Sequence, residues 1–175
     1  GRQDEKPFVN WLEKAASAHP QDPLPRVVLA RHLLAKGDKN KALATAREAV
    51  NVQPDSPVAL ELLGTAQLAS GDTTNALGSF RKLVEHQPGL AAPLVKVATA
   101  QFAARDAAGA RKTLQDALRI QPDVLDAQLM LGNIEIQGAR FDEAHKLAKQ
   151  VQQQHPSNPS GFVLEGDAAY ARKDY

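Results

Sequence analysis

Not one of the 175 residues is cysteine. That removes disulfides and thiolate metal ligation, and leaves the redox compartment open. Aromatics are scarce as well: five Phe, two Tyr and one Trp make up 5% of the chain. A strand-rich sandwich would want aromatic and β-branched residues, so this scarcity, with abundant alanine, points to close helix–helix packing. Net charge is nearly missing too. Lys plus Arg number 21 against 20 for Asp plus Glu, a formal +1, and the cations are scattered along the chain. Such a balance supplies no long-range field for nucleic acid or anionic lipid, so no nucleic-acid partner is expected. No apolar run approaches the ~20 residues of a membrane helix, so no direct span is expected, and no secretory signal is visible.

Motifs that carry chemistry are missing in the same way. The five histidines, His19, His32, His86, His145 and His155, form no His-x-x-x-His or Glu-x-x-His pattern of the kind that holds zinc. No Gly-x-x-x-x-Gly-Lys phosphate loop and no Gly-x-Ser-x-Gly nucleophile turn occurs. The expectation is no catalytic residue, no metal, no cofactor and no enzymatic activity.

What the chain does have is a strict period. Pro20, Pro54, Pro88, Pro122 and Pro156 follow one another at 34 residues with no insertion, and each follows Gln or His, as in VNVQPDSP at 50–57. Self-similarity at such an interval marks a repeat array. Setting the proline at place 32 gives full units 23–56, 57–90, 91–124 and 125–158, a leading helix or half unit 1–22 and a partial unit 159–175. Place 20 is Ala42, Ala76, Ala110 and Ala144; place 8 is Ala30, Gly64, Ala98, Gly132 and Gly166. Apolar residues recur three or four apart, as on one buried face of a helix. In the second unit Leu60, Leu63, Gly64 and Gln67 form the stripe of a first helix, and Ala76, Phe80, Leu83 and Val84 that of a second.

Gly71-Asp72 breaks the two helices, because glycine accepts a left-handed backbone and Asp can cap the next helix. Asp38, Asp72, Asp106 and Asp174 recur with the period and read as such caps. In the fourth unit the turn glycine is shifted to Gly138, beside Phe141. The repeated proline is then punctuation between helix pairs, and Pro25 and Pro93 sit near helix starts, where the missing amide is harmless. Helices of ~12–15 residues are marginal alone, so stacking must stabilise them. The small residues are where paired helices meet, and Trp11 reads as a lid on the first unit.

A 34-residue helix–turn–helix unit with small residues at places 8 and 20 and proline at 32 resembles the tetratricopeptide repeat (TPR) over essentially the whole chain. The resemblance implies an all-α, right-handed superhelical solenoid. It departs at place 4, where the family's tryptophan is Arg26, Leu60, Leu94, Gln128 and Phe162, and at place 11, where its aromatic is Leu33, Gln67, Gln101, Glu135 and Ala169. More narrowly, LLAKGDKNKALATAREAV and LEGDAAYARKDY read like units of the TPR lipoproteins of bacterial exosortase (PEP-CTERM) exopolysaccharide systems. That likeness implies a piece of a longer array facing the periplasm or the periplasmic side of the outer membrane, with the cytoplasm as the alternative.

In TPR arrays places 2, 5, 9, 12 and 13 of the first helices line a concave groove. The resemblance therefore implies a partner-binding set. Place 5 contributes Val27, Glu61, Val95, Leu129 and Val163; place 9 contributes Arg31, Thr65, Thr99, Asn133 and Asp167; place 12 contributes Leu34, Leu68, Phe102, Ile136 and Tyr170. Place 13 is alanine except for Gln137. With first helices ~9 Å apart the five rungs would span roughly 36 Å, room for about 11 extended or about 24 helical residues.

Two readings of the place-12 ladder stand side by side: packing between repeats, or apolar sockets for a protein or peptide partner, with Thr65, Thr99 and Asn133 offering hydrogen bonds. The Lys and Asn pattern of a carboxylate-clamp TPR is not matched, nor is an inner asparagine ladder. The expected role is a non-catalytic interaction scaffold. The alternatives are a self-associating assembly element, through uncovered array ends, or the TPR arm of a larger protein with a catalytic domain elsewhere.

Overall fold

The computed structural model of the chain describes residues 5–173. Asp174, expected as a helix cap, lies outside them, as do Tyr175 and residues 1–4. Among the described residues the regular elements are ten α-helices and no strands. The chain divides into two compact units, one up to Pro88 and one from Gly89. The first holds α1 (Glu5–Ala18), α2 (Leu24–Ala35), α3 (Lys39–Val52), α4 (Pro57–Ala69) and α5 (Thr73–His86). The second holds α6 (Ala91–Ala103), α7 (Ala107–Ile120), α8 (Leu125–Gln137), α9 (Phe141–Gln154) and α10 (Ser160–Arg172).

The period survives translation into backbone. The second helices α3, α5, α7 and α9 are each 14 residues long and begin at positions 39, 73, 107 and 141. Three of them start under an aspartate: Asp38, Asp72 and Asp106 accept hydrogen bonds from the amides of Lys41, Asn75 and Gly109 at 3.2, 3.2 and 2.8 Å. Each such cap satisfies one of the donors a helix start leaves open. The fourth, α9, begins under Arg140, whose side chain makes no cap. All four end the same way. Gln53, Gln87, Gln121 and His155 are C-caps with φ of −140°, −131°, −137° and −128°, and a repeat proline follows each. A residue before proline is pushed out of the helical region, so the recurring Gln or His is the residue on which the helix ends.

The turn inside each pair carries one residue with positive φ at a constant place: Gly37 (80°), Gly71 (82°), Arg105 (65°), Ala139 (55°) and Lys173 (65°). The glycine that the fourth unit shifts to 138 is not the residue that takes the left-handed conformation. Gly138 has φ −86°, and the left-handed conformation stays at Ala139. The helix ends on both sides keep their register, so the backbone shape is dictated and the local residue bears its cost, about 1 kcal/mol for a side-chain-bearing residue.

Alanine fills the core. In the first unit Val27, Ala30, Ala46, Ala49, Ala59, Leu62 and Ala66 form one buried cluster. In the second, Ala98, Ala110, Leu114, Ala127, Leu131 and Ile134 form another. The first helices are buried on two sides rather than along one stripe. On α4, Ala59, Leu62 and Ala66 join the cluster shared with α2 and α3, while Gly64 and Gln67 face α5. A Cβ on Gly64 would lie 2.4 Å from the Phe80 ring, so the absence of a side chain lets the ring fill the space. Gly132 plays the same part toward Leu164 of the following first helix, where a Cβ would approach to 2.5 Å. The small place 8 thus serves contacts between repeats as well as within a pair. Trp11 is no lid: it is 71% exposed, and it is Phe8 that packs edge-on against His32 at 5.1 Å.

Where a polar residue stands at one of the two departures from the family pattern, its side chain is engaged in hydrogen bonds. At place 4, Arg26 donates weakly to the Pro20 carbonyl (3.4 Å) and Gln128 donates to the Pro122 carbonyl (2.8 Å), tying helix start to preceding turn. At place 11, Gln67 accepts from Ser79 (2.7 Å) and Gln101 accepts from Thr113 (2.8 Å), each bridging the two helices of a pair. Glu135, 2% exposed, takes the same place in the fourth unit. Its carboxylate is held by Arg111 at 2.6 Å and by Arg140.

Two stability outcomes are expected. Ala139→Gly relieves the left-handed strain and raises stability by about 0.5–1 kcal/mol in urea unfolding; an unchanged or lower midpoint contradicts this. Removing both guanidiniums with Arg111→Ala and Arg140→Ala strands a buried carboxylate and costs about 3 kcal/mol at neutral pH, whereas Glu135→Leu costs much less, because its part-exposed arginines can turn to solvent. Equal losses in the two variants speak against an energetic role for the triad.

Candidate functional site

In the second unit the first helices α6, α8 and α10 bring much of the sequence-derived set together. A hollow of about 530 Å³ is lined by Phe102, Met130, Asn133, Ile134, Ile136, Gln137 and Asp167. A smaller one of about 180 Å³ is lined by Leu129, Asn133, Ser160, Val163, Leu164 and Asp167. Asn133 and Asp167 border both. Their convergence follows from the period: places 5, 9 and 12 are spaced four and three apart, so they share one face of a helix. Phe102 and Val95 are half-buried against the core cluster beneath, which fixes the floor. Val163, 58% exposed, forms part of the wall. Tyr170, 77% exposed, projects from α10 and lines neither hollow.

The threonines do less than expected. Thr99 and Thr65 donate their hydroxyl protons to the helix carbonyls of Val95 and Glu61, both at 2.8 Å. They can therefore accept hydrogen bonds from a partner but not readily donate. The Thr99 hydroxyl also lies 3.8 Å from the Met130 sulfur. Asn133 and Asp167 are exposed, and their side chains engage no other described residue by hydrogen bond or ion pair. An asparagine amide can both donate and accept, which matches a peptide unit, while an ionised aspartate only accepts.

α10, which carries Asp167, is held to α9 by Glu165. Its carboxylate takes Lys149 at 2.8 Å and Gln152 at 2.6 Å. The Lys149 hydrogen bond, then the Gln152 one, hold its pKa below the ordinary glutamate value. A lowered carboxylate pKa means that this fastening is present above the usual glutamate range and fades as pH falls through the lowered value.

In the first unit the set is less open. Val27 is a correction: at 3% exposure it belongs to the buried cluster and cannot touch a partner. Place 5 turns inward there because α4 packs its Ala59, Leu62 and Ala66 against the same cluster. Leu34 is half-buried against that cluster too, so at this rung the packing reading holds. Leu68, Glu61 and Thr65 are half-buried, and Arg31 is exposed.

Met130, Ile134, Gln137, Ser160 and Leu164 line the hollows outside the partner-binding set read from sequence. Gln137 and Ser160 stand at places 13 and 2, which the repeat pattern already assigns to the groove. Met130, at place 6, carried no such signal. The histidines sit at helix ends or in ordinary contacts: His86 lies 3.3 Å from Asp55, His145 lies 3.4 Å from Glu165, and His155 meets the Asp123 carbonyl at 3.0 Å. Among the described residues no helix is long and apolar enough to cross a membrane.

Two family models, each described as tetratricopeptide repeat, match residues 27–91 and 101–162. No curated protein matches the chain in sequence. Solved structures do resemble it in fold. TTC0263, a thermophilic TPR protein of Thermus thermophilus, superimposes with a TM-score of 0.78 at 22% identity, over 93% of this chain and 89% of that one. MamA from Desulfovibrio magneticus RS-1 (residues 41 to the end) gives 0.77 at 18% identity, over 90% and 89%. YrrB, described as a TPR protein with an unusual peptide-binding site, gives 0.67 at 18% identity, over 93% and 84%.

Proposed function

This chain belongs to the tetratricopeptide-repeat family, and we propose that it is a non-catalytic interaction module that holds a protein or peptide segment on the first-helix face of its second unit. The observation that carries this is the pair of adjoining hollows between α6, α8 and α10, apolar in floor and sharing Asn133 and Asp167 at their common border. Phe102 and Ile136 are the anchors for apolar side chains, and Asn133 faces the backbone of the bound segment. A related fold with a peptide-binding site, YrrB, supports the reading. The cell-envelope setting, with exosortase-linked exopolysaccharide production on the periplasmic side, rests on the likeness of a few stretches of sequence. A signal sequence with a lipid-attachment cysteine in the full gene would support it, and a full gene lacking any export signal would remove it.

A second reading, self-association, is favoured by exposed apolar side chains on a terminal helix of each unit. Phe8 and Trp11 are exposed on α1, and Phe162, Val163 and Tyr170 on α10. Contiguous exposed apolar groups of this kind mark interaction surfaces.

For the first reading, the Phe102→Ala, Ile136→Ala double variant should keep its helical circular dichroism. It should also lose the proteins that the wild-type chain retains from a lysate of its own host. Retention of the same proteins by a folded variant removes the groove. For the second, light scattering across a concentration series should show mass rising above that of the 18.8 kDa chain; a constant monomer mass removes self-association.

A further inference from the structure

The geometry points to a partner segment that places a lysine or arginine between apolar residues, its cation received by Asp167 where the two hollows of the second unit join. This deepens the groove reading and rests on it. Asp167 is the sole charged side chain lining either hollow, and among the described residues no cation neutralises it. Around it the walls are apolar on one side, with Phe102, Met130 and Ile136, and on the other, with Leu129 and Val163.

A wholly apolar segment laid across this face would strip water from the carboxylate and return nothing, and a charge covered without a partner is strongly unfavourable. An acidic segment would add repulsion. A basic residue compensates the carboxylate, and its aliphatic stem lies against apolar walls while the charged head reaches the rim. Phe102 also lines the larger hollow, and an aromatic ring close to a cation adds to its attraction. The apolar neighbours of that basic residue would then enter the two hollows, the bulkier one taking the 530 Å³ space and a small aliphatic the 180 Å³ space. Asp167 so becomes the determinant of which segments bind, while the apolar walls supply most of the buried surface.

The test is selection of phage-displayed random peptides on the immobilised chain, about 12 residues long so that the roughly 5–6 extended residues three first helices ~9 Å apart can hold are free to find their register. Fluorescence anisotropy of the enriched peptides, synthesised with a dye, then follows against wild type, Asp167→Asn, Asp167→Lys and the Phe102→Ala, Ile136→Ala double variant. The expected result is enrichment of Lys or Arg flanked by aliphatic or aromatic residues. Affinity should fall about tenfold or more in Asp167→Lys and by a smaller factor in Asp167→Asn, and weaken with added salt. Peptides that lose binding in the double variant but ignore Asp167→Lys overturn this inference and leave the groove standing. Peptides indifferent to the double variant, or no enrichment over the starting library, overturn the groove reading and this inference together.

Discussion

The structure depends on one constraint: a first helix such as α4 has to bury two sides at once, against its own second helix and against its neighbours in the same unit. A helix squeezed from two directions cannot carry bulk everywhere, and the chain answers with alanine and glycine at the contact places. Gly64 admits the Phe80 ring and Gly132 admits Leu164 because neither has a Cβ to stand in the way. The scarcity of aromatics follows from the same demand. Close approach replaces large side chains, and many small dispersion contacts take over from a few large ones.

Such a core has little apolar volume per helix, and the buried polar residues are best understood against that. Gln67 with Ser79 and Gln101 with Thr113 repeat the same bridge one period apart, at a place where the family usually sets an aromatic. The bridge fixes the rotation of the two helices relative to each other, since only one register satisfies both side chains. Glu135 with its two arginines is the charged version of that device. Polar pairing inside an alanine-rich stack gives direction where plain apolar contact is tolerant.

The same two-sided burial determines what is left for function. Side chains that point to neither neighbour emerge on a shared face, and in the second unit that face opens into the two hollows around Asn133 and Asp167. In the first unit the equivalent start of the row is closed, because Val27 is drawn into the core. A uniform period therefore does not yield a uniform surface. Local side-chain volume decides which places become floor, wall or filling.

The period, helix pairing, chain punctuation and the aspartate caps of α3, α5 and α7 were legible in the amino-acid order, because local backbone rules enforce them. Proline forbids continuation, the residue before it must be extended, and aspartate accepts from the amides of a helix start. That Phe102, Leu129, Asn133, Ile136, Val163 and Asp167 would emerge on the first-helix face was legible too, since residues three and four apart share a helix face. The left-handed site at Ala139 rather than Gly138, the exposure of Trp11, the closure around Val27 and the entry of Met130 into the hollow were not. The turn at Ala139 keeps the place set by the flanking helix ends whatever residue stands there; the other three depend on which side chain of a neighbouring helix reaches a given point, a matter of distances between segments remote in sequence. One-dimensional spacing specifies directions along a helix; only the packed fold decides what those directions meet.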